Sequence, residues 1–495
     1  MRNGNDYLDS LGKREVYING EKVSDVRKSP SFKGILGTLK KLYDFSYDPE
    51  NHMQFTTEWG TRGNIIYNIP KSYEDMRQRH EAIKAWAQIT MGFVGRSPDH
   101  VGSFLAGFAA NSSVFDRDKR KFSSNVIRHY RNLVDTDVYF SYAIIPPQVD
   151  RSKKAHELPD KRIQVSVVEE REDGIVVRGS QMLATGAAVA DVLFVSCIPP
   201  LSEGDEDYAL SFVVPVGAKG LKLYCRSPYE TGKSSVFDYP MSTRFDESDA
   251  TVVFDDVFIP WEDIFAYRDV KLLQAQFFET PAHIYGNNQA QVRLAVKLRF
   301  ISGLAASVSR MNGTDRIQGV LERLGELASL ASIVEGMALA SETTGSVMDR
   351  GYFVPNPRFL YGPMGLQAEI YPRAIGILRE LSGAGVLQLP STINELNNPE
   401  TMKDLSKYIR STDFDTVSRT KLFKLVWDVI GSEFAGRHLQ YEMFYAGAPY
   451  VSRMYAYRNF DYQSATDAVK KFMSEYGLED EHLDEPSKIN PKEIR

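Results

Sequence analysis

At 495 residues, with 43% hydrophobic and 25% charged residues, the chain has an ordinary globular composition and enough length for two or three packed regions. A formal net charge of -6 excludes the basic face that a nucleic acid or an anionic membrane would need, and points instead to a small-molecule partner. Two cysteines, Cys197 and Cys225, are too few for a disulfide framework or a four-thiolate metal or iron–sulfur site; no uninterrupted apolar run of about 18 residues suggests a membrane span, and the polar first 14 residues lack a secretory signal, so a soluble cytoplasmic protein is expected.

Residues 1–155 are expected to be mainly helical. Within 73–93, Met76, Ile83, Trp86, Ala87 and Met91 recur at helical spacing behind Ser72, a fitting N-cap, and 101–108 is apolar enough for a buried helix. Across 156–275 the period changes to two. Ile163, Val165 and Val167 alternate with polar residues, Asp173-Gly174 offers a turn, Ile175 to Val177 begins a second strand, and further runs follow at 192–195, 210–214, 221–224 and 251–254. A compact antiparallel barrel or sandwich would use them all, and an antiparallel β barrel is the expectation. From 276 to 465, long Ala- and Leu-rich stretches at 291–309, 315–347 and 416–445 predict a helical bundle, with the Pro-containing 351–364 segment as a connection. Residues 466–495 read as a charged peripheral tail, and the acidic runs at 203–207 and 479–481 as solvated surface. The class is therefore α+β, in the order of the acyl-CoA dehydrogenase-like fold. No G-x-G-x-x-G sits between a strand and a helix, so no Rossmann site is indicated, and no internal repeat is evident.

The segment Gly95-Arg96-Ser97-Pro98-Asp99-His100-Val101 resembles the Gly-Arg-Ser/Thr-Pro-Asp-Tyr motif of the oxygenase components of the two-component 4-hydroxyphenylacetate 3-monooxygenase and chlorophenol monooxygenase family. Further similar stretches begin at Arg14-Glu15-Val16-Tyr17 and run through Pro147-Gln148-Val149-Asp150-Arg151, Ala184-Thr185-Gly186-Ala187 and Phe254-Asp255-Asp256-Val257. They continue with RLAVKLRF from Arg293, Ser382-Gly383-Ala384-Gly385, Arg437-His438, Tyr441-Glu442 and Tyr445-Ala446-Gly447. Two positions depart from the family's pattern: His100 stands where a Tyr is common, and Tyr142 where a His is common. The two side-chain types look exchanged.

The resemblance implies a flavoprotein that receives FADH2 from a separate NAD(P)H:flavin reductase. With O2 it would form a C4a-hydroperoxyflavin and hydroxylate a phenolic substrate, and it would assemble as a homotetramer. A cationic donor or a base near the phenol hydroxyl would favour the more reactive phenolate. Arg96, His100, Tyr142 and His283 are the catalytic candidates. Arg96 is always charged, and His100 titrates near neutral pH in its ordinary state. Their plain alternatives are an ion pair, a satisfied helix histidine, a core tyrosine and a loop histidine. Gln148, Val149, Asp150, Arg151, Thr185, Tyr445, Ala446 and Gly447 are the flavin-binding candidates, against plain roles in a turn, a strand end and a helix cap. Asp255-Asp256 is assigned to backbone turn bonding, and substrate choice to loops such as 199–207.

Three rivals remain. A 4-hydroxybutyryl-CoA dehydratase would need three cysteines for its cluster, and an acyl-CoA dehydrogenase or oxidase would need a catalytic Glu that is not apparent. A decayed flavin-binding paralogue is motivated by the exchanged His100 and Tyr142.

Overall fold

The structure is a computed structural model describing residues 1–117, 120–233 and 235–477. The acidic run at 479–481 and the end of the tail lie outside the described residues. Helices lead, strands fill the middle and helices return. The Tyr73–Ile89 helix begins where the Ser72 hydroxyl accepts from the Asp75 amide. Pro98 occupies the first turn of the buried Pro98–Ala110 helix, where its missing N–H costs nothing.

The strands do not close into a barrel. They form two open sheets, one of six strands in the spatial order Glu21–Val23, Glu15–Ile18, Leu221–Cys225, Asp249–Pro260, Gly174–Thr185, Ser166–Glu170. The other has four, in the order Ile264–Tyr267, Leu210–Pro215, Val192–Val195, Phe140–Ala143. Nor are they wholly antiparallel. Glu15–Ile18 runs parallel to Leu221–Cys225, and Phe140–Ala143 parallel to Val192–Val195. Strands from the first 155 residues thus join each sheet, and the end strands, Glu21–Val23 and Ser166–Glu170 in one and Ile264–Tyr267 and Phe140–Ala143 in the other, each pair with a named strand on one side only, so neither sheet closes. Phe212 of one sheet meets Phe254 of the other, ring centroids 6.0 Å apart. The expected hairpin at Asp173-Gly174 is present, with Glu170 opposite Ile175, but Ile163 and Val165 precede the paired strand. Asp255 and Asp256 are tied to Lys222 and Arg178 in exposed ion pairs at a bulge, in keeping with a structural role.

The bundle is built on Ala282–Met311, Gln318–Thr343 and Pro357–Ser382. The expected connection at 351–364 is overturned from Pro357 onward: Asn356 caps a 26-residue helix that contains Pro363 and Pro372. Each interior proline removes one backbone bond, and burial of Leu360, Tyr361, Met364 and Tyr371 on the same helix offsets that loss. The expected single helix over 416–445 is two, Thr416–Ile430 and Glu433–Phe444. They break at Gly431, where a Cβ would lie 2.4 Å from the Trp427 ring, and Ser432 caps the second. Among the described residues the Gln318–Thr343 helix is long and apolar enough, by length and composition, to cross a membrane. It nonetheless carries Glu322, Arg323, Glu326 and Glu335 and packs along the other two bundle helices.

Candidate active site

Three glycines set the approach of the helices. Met91 and Gly92 turn the chain through left-handed conformations, and the Gly92 carbonyl accepts from Arg293 at 2.8 Å. At Gly95, the first residue of the motif, a Cβ would lie 2.4 Å from the Tyr441 hydroxyl, so only glycine admits that ring. Gly286 lets the Phe104 ring press against the Ala282–Met311 helix, where a Cβ would meet it at 2.3 Å. The Pro98–Ala110 and Ala282–Met311 helices therefore cross closely and bring their buried polar side chains together.

Arg96, His100, Tyr142 and Tyr445 converge at this crossing. Arg96 places Nη1 2.5 Å from His100 Nε2, and its Nη2 donates to the Tyr445 carbonyl at 3.0 Å. Its guanidinium carbon lies 5.1 Å from the ring centres of both Tyr142 and Tyr441 and 5.8 Å from that of Tyr445. The Arg96 backbone is held at both ends: its N–H donates to the Glu247 carboxylate and its carbonyl accepts from the Tyr139 hydroxyl at 2.7 Å. His100 sits with its ring centre 5.3 Å from that of Phe104 and 5.6 Å from that of Tyr142. Burial, reinforced by the Arg96 charge, pushes the His100 pKa well below the usual histidine value. The expected titration near neutral pH is thus replaced by a neutral imidazole. The Tyr142 hydroxyl makes no hydrogen bond among the described residues, and burial raises its pKa against the opposing effect of Arg96. A fixed cation, a neutral acceptor and an unbonded phenol together suit an aromatic oxygen that alternates between hydroxyl and anion.

His283 lies in an adjoining aromatic nest, 2.8 Å from the Tyr361 hydroxyl, with Phe278 and Tyr455 rings at 4.9 and 4.8 Å. Burial lowers its pKa to about 4. The Asn287 side chain connects the two groups, reaching His283 on one side and accepting from the Tyr445 hydroxyl at 2.8 Å on the other. Thr185 ends the long Gly174–Thr185 strand with its hydroxyl donated to Asp249 at 2.6 Å and its carbonyl accepting from Ser141, the neighbour of Tyr142. Gln148, Val149, Asp150 and Arg151 form a turn away from the cluster, with no hydrogen bond to it among the described residues. Gln148 donates only to the Pro146 carbonyl, Asp150 accepts from Ser152, and Val149 is 59% exposed. Ala446 and Gly447, the latter at φ +99°, make the turn after the Glu433–Phe444 helix.

Comparison with known proteins is decisive for the family. The model of the 4-hydroxyphenylacetate 3-hydroxylase N-terminal region matches residues 3–266, and that of the C-terminal region residues 273–474. The chain belongs to the 4-hydroxyphenylacetate 3-hydroxylase family. It is 34% identical to the 4-hydroxyphenylacetate 3-monooxygenase oxygenase component of Pseudomonas aeruginosa, over 98% of this chain and 96% of that one. It is 33% identical to the oxygenase component of a Rhodococcus 4-nitrophenol 2-monooxygenase, over 96% and 92%. A crystal structure of the oxygenase component of 4-hydroxyphenylacetate 3-monooxygenase complexed with FAD and 4-hydroxyphenylacetate superposes with a TM-score of 0.91 at 31% identity, covering 96% of this chain and 99% of that one.

In this member of the hydroxylase family His100 and Tyr142 lie ring beside ring next to Arg96. Beneath them lies a layer most of whose residues the sequence reading quoted as family-like stretches but gave no role. Glu442 accepts from Arg293 at 2.7 and 3.0 Å, from Lys297 at 2.9 Å and from Gln367 at 2.7 Å, all fully buried. Tyr441 is enclosed by the guanidinium groups of Arg96, Arg293 and Arg437, and burial raises its pKa to about 12. Arg437 in turn pairs with Asp249 and Glu247. The available signal was the amide run Asn287-Asn288-Gln289 with Gln291, followed at helical spacing by Arg293 and Lys297, since buried polar groups require partners.

Proposed function

We propose that this chain is the oxygenase component of a two-component aromatic monooxygenase, taking FADH2 from a separate NAD(P)H:flavin reductase and using O2 to hydroxylate a phenolic substrate. The buried Arg96–His100–Tyr142 cluster carries the reading, within a family of aromatic hydroxylases. Its residues also fit FAD. Arg151 has no hydrogen bond or ion pair among the described residues, which leaves a guanidinium free for a diphosphate, and exposed Val149 and Gln148 offer an apolar contact and an amide beside it. Thr185, with Arg437 behind it, supplies polar edges at the strand end.

Bound reduced FAD, with O2, supplies the electrophilic oxygen. The protein residues handle the ring. Arg96, unable to lose its proton, donates to the phenol oxygen and stabilises it as an anion. The His100 Nε2 lone pair receives the hydroxyl proton, and Tyr142 donates to the same oxygen. Phe104 and Phe277, ring centres 6.0 Å apart, keep water from the reacting face. His283, neutral at physiological pH, hydrogen-bonds with Tyr361 in the wall beyond Asn287. We place the enzyme in the cytoplasm as a homotetramer. Unpaired Cys197 and Cys225 suit a reducing compartment, and exposed Leu321, Ile333 and Leu339 along the Gln318–Thr343 helix offer an apolar face to another copy.

The test mixes the anaerobic complex of protein and reduced FAD with oxygenated buffer and a panel of phenols, and reads hydroxylated product per flavin oxidised. Wild type is expected to couple the two, whereas Arg96→Met should retain FAD and lose about a hundredfold in hydroxylation rate, releasing hydrogen peroxide instead. Peroxide alone from the wild type with every phenol would identify a decayed paralogue.

A further inference from the structure

Arg96 has only donors, so at 2.5 Å from His100 Nε2 it requires a lone pair there. A neutral imidazole with a lone pair on Nε2 carries its proton on Nδ1. That Nδ1–H meets Gln289 Oε1 at 3.1 Å, and the Gln289 amide nitrogen donates to Asp99 Oδ2 at 3.1 Å. Asp99 Oδ1 accepts from the Ser97 hydroxyl, so both carboxylate oxygens act as acceptors and the amide cannot flip without opposing oxygen to oxygen. All of these groups are buried, Gln289 and Asp99 at 1% exposure each. The charged and titratable groups around His100 are Arg96 on its own segment, Asp99 beside it, Tyr142 from the sheet and Arg293 from the crossing helix; Arg79 adjoins Asp99 through Ser103.

We infer that Gln289, fixed by Asp99, is a positioning residue that locks His100 in the Nδ1-protonated tautomer, so that Nε2 is presented to the substrate hydroxyl beside Arg96. The inference rests on the reading above, in which Arg96 and His100 share the phenol oxygen. A hydroxyl that replaces the Arg96–His100 contact matches both neighbours at once: its O–H donates to Nε2 and its oxygen accepts from the guanidinium. When the proton crosses, the O–H bond breaks and an N–H bond forms. The oxygen keeps the electron pair, and the imidazolium holds one proton toward Gln289 and one toward the anion. The amide adds no charge of its own, so His100 remains an acceptor at neutral pH. A carboxylate in the same place would draw a proton onto the ring.

Three variants decide it, each measured as product per flavin oxidised across pH, with FAD binding and thermal melting followed in parallel. Gln289→Met keeps the bulk and removes the acceptor. Product yield is expected to fall about a hundredfold with FAD retained, because once the substrate hydroxyl replaces the Arg96 contact nothing holds the imidazole proton on Nδ1, and Nε2 can carry it instead. Gln289→Glu, made together with Asp99→Asn so that the new carboxylate still accepts from an amide, keeps an acceptor for Nδ1–H, so yield should survive while the acid limb of the pH profile moves upward by about one unit. That displacement is a readout packing alone would not give. His100→Phe tests the underlying reading. A wild-type yield in His100→Phe would overturn the assignment of His100 to the phenol, and the positioning role with it. Loss in His100→Phe together with wild-type yield and pH profile in both Gln289 variants would overturn the positioning role alone. An unshifted acid limb in Gln289→Glu with Asp99→Asn would also overturn it, even if Gln289→Met fails to fold.

Discussion

The helical crossing and the 146–154 turn treat their polar groups in opposite ways. At the crossing, Arg96, His100, Gln289, Arg293 and Glu442 each reach partners that lie far away in sequence, and all are buried. On the turn, Gln148 and Asp150 bond only to residues two or three positions away and Arg151 has no partner among the described residues, whereas from His156 onward the chain is anchored again, by the His156–Asp205 pair. Charge and protons are handled where geometry is fixed in advance, which spares reorganisation during reaction. The 146–154 turn, bonded only to near neighbours, can open without disturbing the core, as the proposed role of Arg151 toward a flavin that enters and leaves would require. The contrast is between a preorganised half-site and an adjustable one.

The sharpest way to break the rigid half is Glu442→Gln. The substitution leaves Arg293 and Lys297 buried without a counter-charge, and we expect a loss of about 3–5 kcal/mol in denaturant unfolding. Burial alone would raise the Glu442 carboxyl, but the charges of Arg293 and Lys297 prevail and hold its pKa at about 2. Because the folded value lies below the unfolded value of about 4.3, the carboxylate contributes its full stability above that pH. The contribution is lost as pH falls toward about 2. Unfolding titrations between pH 5 and pH 3 should therefore show a steep acid sensitivity in wild type that is reduced in Glu442→Gln. Equal acid sensitivity in both would assign the effect to other carboxylates.

A smaller effect is expected from Gly95→Ala. The added Cβ would lie 2.4 Å from the Tyr441 hydroxyl, whose ring is hemmed in by Arg96, Arg293 and Arg437, so the clash should cost about 1–3 kcal/mol. Arg96 follows Gly95 directly, so hydroxylation should also lose coupling to flavin oxidation. Gly95→Ala with wild-type melting and wild-type product yield would show that Tyr441 moves freely and that the crossing is less rigid than drawn.

These two halves were not equally legible in the sequence. The motif around Arg96 stood out because glycine, proline and charge coincide there, each needed locally: Gly95 for the Tyr441 ring, Pro98 for the helix start. The strand runs were legible for the same reason, since alternation is local. Sheet closure was not, because Glu15–Ile18 pairs with Leu221–Cys225 across about 200 residues and no local pattern encodes that partner. Pro357 misled because a proline at a helix start and a proline in a turn look alike until the following residues are seen to pack. Gln289 was legible only as one of a run of helix amides, which reads as surface until its burial between His100 and Asp99 shows its use.

The smallest effect tests the adjustable half. Arg151→Ala removes an exposed guanidinium with no bond or ion pair among the described residues, so the protein without flavin should keep its stability to within about 0.5 kcal/mol. If Arg151 meets the diphosphate of FAD, affinity measured by flavin fluorescence should fall by about three- to tenfold, a loss that shrinks as salt is added because the contact is solvent-exposed. Arg151→Lys should recover only part of it, since a point charge replaces a planar fork. Unchanged FAD affinity in Arg151→Ala would remove this loop from the flavin site, whereas a large loss of stability without flavin would make Arg151 a structural residue. Either outcome would abolish the division between a rigid phenol site and a pliant flavin clasp, while the predicted pair of a stable apoprotein and a salt-sensitive loss of affinity would tie that division to the residues that produce it.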